Sequence, residues 1–297
     1  MSQRQPVDLS ALPLPEAVKA LDYEAVLEDM RLTLSLLDPG LQPAMALESE
    51  PLNKQIEVTA WRELVLRAAV NDSVRAVMLA TATGTDLDHL AALLGVERQI
   101  LVEADPMVVP PVAQQLEDDA SLRRRVQLAP EGMTNAGTVG AYTYHALRAH
   151  GRIRDVGVSS PGPGQVRVTV LSHDDDGLPS AEVLAAVTAV LDEVRPLCDT
   201  ATAAAPVFAD FAVTATLHLT ASPGAEVVQA AAEAAVAAYL DQARAVGRVV
   251  RRSALIAALH QPGVETVVLT APAADVDPGL TGVARASPPN ISVVWPT

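Results

Sequence analysis

The hydrophobic period of the chain changes near residue 152, and that change constrains the fold class more than any single motif. Before it, apolar residues recur at helical spacing; after it, strand-like alternation and helical runs take turns. In 15–37, "PEAVKALDYEAVLEDMRLTLSLL", Val18, Leu21, Ala25, Leu32 and Leu36 mark an amphipathic helix behind prolines, with Glu16, Asp22, Glu24, Glu28 and Asp29 as its solvated acidic face. The breaker "DPGLQP" ends it, and a second helix is predicted from about Asn53 to Ala82, carrying Ile56, Trp61, Leu64, Val65, Ala68, Val74, Val77 and Met78. A helix of ~30 residues spans roughly 45 Å. That exceeds what a small domain needs and points to a bundle or an intermolecular helical contact. In "TGTDLDHLAALLGVER" the predicted helix has Thr85 as N-cap, Asp86 and Asp88 in the first turn, where they favour the helix dipole, and Gly95 at the C-cap.

Residues 99–116, with "EADPMVVPPVAQQLE", read as a linker or a docked extended segment. Leu122, Val126 and Leu128 then suit a short helix, and Thr138 caps another through "TVGAYTYHALRAH". From 152, "IRDVGVSSPGPGQVRVTVLS" predicts two strands about a Pro-Gly turn, with Val166, Val168 and Val170 alternating against Arg167 and Thr169. A helix follows from Val183 to Val194, ended by Pro196. Phe211, Val213, Ala215, Leu217 and Leu219 predict a half-buried strand; an alanine-rich helix ending at Gly247, a short helix, a turn and another strand come next. The prolines of "SPPNISVVWPT" confine the tail to an edge or an arm. The fold class is α+β: long amphipathic N-terminal helices, then two small modules, each a sheet with helices on one face. The expected division is 1–98 helical, 99–151 linker and connector, 152–209 and 210–297 the two modules.

The formal net charge of −15 leaves no basic face for nucleic acid, and "RRR" at 123–125 and Arg251 with Arg252 are isolated. An acidic surface also disfavours anionic membranes, and no run of eighteen apolar residues occurs. Aromatic residues make up 3% of the chain, so alanine and valine must build the cores, which favours close helix packing and wide interfaces. Several clusters invite a chemical reading. Tyr142, Tyr144 and His145 lie behind a glycine-rich turn, yet "AGTVGAY" lacks GxGxxG and a preceding strand, so they read as packing and hydrogen-bonding residues. Asp86, Asp88 and His89 serve the start of a helix better than a metal. "SHDDDGLPSAEV" offers His173 with Asp174, Asp175 and Asp176 to a divalent cation, but contiguous acids do not follow the alternate spacing of a calcium loop. An acidic surface turn before Ser180 as N-cap is the simpler reading. Cys198 lacks electropositive neighbours in sequence and is expected to be a small buried residue. No residue is assigned as catalytic, cofactor-binding or metal-binding. A metal-dependent hydrolase using His173, Asp174 and Asp176, and a stand-alone adaptor, stay open on these observations.

Five segments carry a resemblance in order: "LDYEAVLEDMR", "LESEP", "VNDSVRAVMLATATGTDLDHLAALLGVER", "LRRRVQLAPEGMTNAGTVGAYTYHALRAHGRIRDVGVSSPGPGQVRVTVLS" and "RRSALIAALHQPGVETVVLTAPAAD". With these the chain resembles the baseplate J-like family of P2-type contractile phage tails, which contractile bacteriocins and injection systems share. One departure is the short "DPGLQPAMA" before "LESEP". The resemblance implies a wedge subunit rather than an enzyme, with no cofactor. It implies N-terminal helices bundled with a neighbouring wedge protein, and C-terminal modules closing a ring around the central spike and relaying host contact to sheath contraction. Implied partners are other copies of the chain, W-like and I-like wedge proteins and the central hub or spike, in a tail baseplate assembled in the bacterial host's cytoplasm. In the family the segment holding Tyr142, Tyr144 and His145 is a fold element.

Overall fold

A computed structural model describes residues 7–13, 15, 17, 19–174, 176–220 and 224–294. The chain forms two compact units, one from the described residues of 5–98 with 118–126, the other from those of 99–117 with 127–297. The mixed helix and small-sheet architecture is the α+β class that the change of period predicts.

The first unit is helical. Helix α1 is Tyr23–Leu37, α2 Gln42–Met45, α3 Pro51–Ala76 and α4 Gly84–Ala92; α5, Asp119–Leu128, contributes its first turns. The α1 helix begins later than its apolar spacing suggests, because the Asp22 carboxylate accepts from Ala25 N at 3.1 Å and sets the N-cap there. Asp22 is therefore a cap, while Glu16 and Val18 lie outside the described residues. Val26 and Leu27 of α1 meet Ile56 and Ala60 of α3, and Ala60, with no exposed surface, lets the backbones approach. At 26 residues α3 is shorter than predicted but still about 39 Å long. Asn71 is buried and clamps the backbone of Lys19, accepting from its N at 2.9 Å and donating to its O at 2.8 Å.

Leu87 and Ala91 of α4 are buried, as are Ala82, Val96, Leu122 and Val126 of the same unit. Thr83, not Thr85, occupies the N-cap position of α4. Gly95 terminates the helix as expected: its φ is +67°, and Val96 N reaches back to Ala91 O at 3.1 Å. Arginines close the unit. Arg123 donates to Leu79 O at 2.7 Å and Ala82 O at 2.6 Å, and Arg125 to Glu97 O at 2.6 Å. Arg98 joins Asp88 at 2.8 Å and Asp119 at 2.7 Å. Burial opposes its charge, but the two carboxylates prevail and raise its pKa further above the usual range, while Arg98 holds Asp119 below the usual carboxylate range.

In the second unit, 99–117 is a hairpin rather than irregular chain: β1, Ile100–Val102, pairs antiparallel with β2, Gln115–Leu116. Helix α6, Val139–Ala149, starts at Thr138, whose hydroxyl accepts from Ala141 N at 3.1 Å. The first α+β module pairs β3, Ile153–Gly162, antiparallel with β4, Gln165–Ser172, and β4 parallel with β5, Thr200–Ala204, across α7, Ala181–Val194. Ser180 caps α7 by accepting from Val183 N at 3.3 Å. Val168 and Val170 face inward as predicted, but Thr169 and Leu171 are buried too, so the end of β4 is covered on both faces.

The predicted strand from Phe211 is split. Residues Val207–Phe211 form β6 and Thr214–Leu219 form β7. Helices α8, Ala225–Ala243, and α9, Arg252–Leu259, precede β8, Val264–Ala271, β9, Gly282–Ala286, and β10, Asn290–Val294. The second sheet has the order β10-β7-β8, with the tail as the expected edge strand, and β6 pairs separately and in parallel with β9. The alanine helix ends before Gly247, which instead turns at φ +74°. The modules interlock where Gly157 admits Val246: a Cβ on Gly157 would lie 2.3 Å from Val246 Cγ1. Buried Asp155 accepts from Val246 N at 2.8 Å, and Leu171, Val246 and Val283 share a core with Phe208. No helix among the described residues is long and apolar enough to cross a membrane.

Replacing buried Asn71 with alanine removes both of its part-buried hydrogen bonds to Lys19 at once. The expected loss is about 1–3 kcal/mol of unfolding free energy, with the Lys19 amide losing its protection in hydrogen exchange. An unchanged Lys19 exchange rate would refute the clamp.

Candidate functional site

The glycine-rich segment before α6 folds onto the helix it precedes. Gly132 packs so closely beneath Tyr144 that a Cβ there would lie 2.1 Å from the ring. His145 Nε2 meets Gly132 O at 3.1 Å, so that nitrogen carries the proton and donates. Burial, aided by Arg148, pushes the His145 pKa down. Tyr142 is buried and donates to Asp199 Oδ2 at 2.8 Å; burial first and the carboxylate second push its pKa up to about 12. A neutral phenol locked to a carboxylate is a structural tie, and no nucleophile faces the imidazole in these contacts. The segment thus joins α6 to the turn after α7.

The acidic turn is divided among arginines. Asp174 accepts from Ser172 Oγ at 3.1 Å and faces Arg152 at 3.7 Å, whereas Asp176 faces Arg285 at 3.3 Å. Asp175 lies outside the described residues, and among those described no three His, Cys, Asp or Glu side chains form a group able to hold a metal. Asp88 belongs to the Arg98 network, and His89 is exposed on α4. Cys198 is exposed, not buried. It lies in the turn that Asp199 N closes on Pro196 O at 3.0 Å, so α7 has already ended and its side chain has no core to enter.

A different feature stands out on the helical unit. Val58, Trp61 and Val65 lie at i, i+3 and i+7 on α3, and Leu66 and Val70 at i and i+4, with Val77 just past the helix end; all six are exposed, Trp61 at 59%. The first ridge lies away from the face of Ile56 and Ala60 that meets α1, whereas Val70, two heptads on from Ile56, continues that stripe past the contact. On α1, Leu32 and Leu36 form a similar exposed pair away from Val26 and Leu27. Sequence reading identified Trp61 and Val65 as apolar helix positions but did not separate them from the core stripe. The signal was present: the apolar residues of α3 surround the helix instead of keeping to one side. An exposed ridge of this length is the usual mark of a protein interface.

Two measurements test the ties around α6. Tyr142→Phe leaves the ring packed but removes the bond to Asp199 and is expected to cost about 1.5–3 kcal/mol, read by denaturant unfolding. His145 is held neutral in the folded chain, so above pH ~6.5 neither state protonates and the site adds no pH dependence. As pH falls through that value the unfolded chain takes up the proton first, and stability declines until the folded imidazole also titrates. The drop in Tm between pH 7 and 5.5 should therefore be smaller in His145→Gln than in the parent.

Comparison with known proteins places these features in a family. The Baseplate J-like N-terminal domain matches residues 48–105, the Baseplate J-like central domain 134–205, and the Baseplate J-like protein C-terminal domain 211–288. The chain is 42% identical over 277 residues to Baseplate protein J of Escherichia phage P2, covering 91% of this chain and 92% of that protein. It is also similar to a chain in the cryo-EM structure of the anti-feeding prophage (AFP) baseplate, 6-fold symmetrised, at 19% identity and a TM-score of 0.40, covering 60% of this chain and 43% of that one. Three consecutive family domains, matched in order along one chain, together with identity that spans nearly the whole of a known member, show that this protein belongs to the baseplate J-like family.

Proposed function

We propose that the chain is a structural, non-catalytic subunit of the baseplate wedge of a contractile tail or tail-derived particle. It joins the ring around the central spike and relays host contact to sheath contraction. The observation that carries this reading is the family match over all three domains and 91% of the chain, and the exposed ridges of α3 and α1 support it. In this reading 1–98 supplies bundle helices, 99–151 connects, and 152–209 and 210–297 meet adjacent wedges. Its partners are other copies, W-like and I-like wedge proteins and the hub or spike, in a virion tail baseplate assembled in the bacterial cytoplasm.

The physical case rests on what the ridges lack. Five apolar side chains on α3, one of them a tryptophan, face water in the isolated chain, and tryptophan is among the residues that most often dominate binding energy at interfaces. A partner helix laid along α3 would bury both ridges between its own side chains, in the manner of a helical bundle.

The test is light scattering on size-separated protein, alone and co-expressed with the proteins of the two reading frames flanking its gene. A stable heteromer containing two copies of this chain is expected; a monomer indifferent to both neighbours would overturn the proposal. In the same assay Trp61→Glu with Val65→Glu should abolish the heteromer. The isolated variant should keep its Tm within about 2–4 °C, since surface changes cost only ~0.5 kcal/mol each.

A further inference from the structure

The hairpin at 99–117 is firmly based and otherwise uncovered. At its base, Gln99 Nε2 donates to Arg148 O at 2.9 Å, Glu117 N donates to Gln99 O at 2.9 Å, and the Glu117 side chain is buried. Gly151 lets the ribbon in, since a Cβ there would lie 2.8 Å from Ile100 O. Beyond the base, every residue from 103 to 116 is exposed, Met107 at 88% and Val109 at 93%. The tip is nonetheless shaped. Asp105 and Val112 exchange backbone hydrogen bonds at 3.0 and 2.9 Å, and Asp105 Oδ1 accepts from Met107 N at 2.9 Å. Pro110 and Pro111 stiffen the return. A presented apolar tip of fixed shape loses little entropy on binding. The matched family domains end at 105 and resume at 134, so the tip and the returning strand fall outside them.

We infer that 103–116 is a docking arm, which places Met107, Val108 and Val109 in an apolar cleft rimmed by lysine or arginine on a different protein. Charge selects this occupant. Between Arg98 and Arg123 the sequence has no Lys or Arg, while Glu103 and Asp105 flank the tip. A second copy, itself carrying a net −15, presents like charge, and like-charge juxtaposition is costly at an interface. A tip this small buries less than a free-standing interface requires. The arm therefore adds to a larger contact, slowing dissociation rather than creating the complex. The existence of that larger contact rests on the wedge-subunit reading; the arm's own role does not depend on which face makes it.

The experiment uses the full chain co-expressed with the two proteins of the flanking reading frames, and compares dissociation of the purified complex with that of a Met107→Asp/Val109→Asp variant. Both positions are exposed, so the variant should keep its Tm. Its complex should dissociate at least roughly tenfold faster, equivalent to ~1.4 kcal/mol. Glu103→Lys should slow association, an effect that disappears near 1 M salt, where the Debye length is ~3 Å. If the parent complex forms and the tip variant dissociates at the same rate, the arm is refuted and the subunit reading stands. If the parent forms no complex, both fall. Self-association of the parent that the tip variant abolishes would give the arm to a second copy and overturn the partner assigned here.

Discussion

The helical unit depends on backbone carbonyls that its helices leave without partners. Leu79 O and Ala82 O lie in the connection after α3, where no further helical turn supplies donors, and Glu97 O lies after α4. Unpaired carbonyls in such positions are expensive. Arg123 and Arg125 answer from α5 with planar donor forks, and Arg98 links the start of α4 to the start of α5 through Asp88 and Asp119. Guanidinium suits this work because it offers several N–H groups in fixed directions and stays charged when partly buried. A lysine at 123 would reach one carbonyl and leave the other.

This inward use of arginine shapes the outside of the molecule. The pattern recurs in the second unit, where Arg252 serves Leu269 O and Pro272 O; Arg285 instead pairs at the surface with Asp210 while lying over Phe208 at 4.4 Å. Arg285 holds the Asp210 carboxyl below the usual carboxylate range. Arginines committed to carbonyls are not arrayed as a basic face, and the chain as a whole keeps its net charge of −15. Among the described residues, the exposed apolar side chains include the ridges of α3 and the tip of the β1-β2 hairpin.

The parts of this fold that were legible in the sequence are those where one period persists. The α7 helix kept its apolar set from Val183 to Leu191 and its Ser180 cap; Thr138 and Gly95 acted locally, and local signals travel well from sequence to structure. Failures came where a distant partner decides. The β5 strand, "TATAA", alternates only threonine with small alanines, a weak strand signal, and is held by the parallel ladder that Gln165–Thr169 offers it. The break between β6 and β7 follows from Phe211 pairing with Ala286 while Thr214 begins a different sheet. Proline made 99–116 look structureless, yet its prolines lie at the turn, where no ladder bond is lost. Cys198 was misjudged because helical spacing says nothing of the turn beyond Pro196. For the candidate surfaces the sequence showed which residues are apolar but not which of them the chain covers itself.

That last distinction carries a consequence for assembly. A chain with exposed apolar ridges risks associating with itself, since hydrophobic burial is non-directional and does not discriminate among partners. Net charge does discriminate, because it acts before contact: at 0.15 M ionic strength the Debye length is about 8 Å, so direct ridge-to-ridge pairing of two free copies is opposed, without barring both from one heteromer. An oppositely charged or neutral partner pays no such penalty and reaches the same ridges faster. In the proposed wedge subunit the apolar faces would supply affinity and the acidic surface would bias which partner receives it. Basic residues added near α3 would weaken that selection without touching a single buried contact.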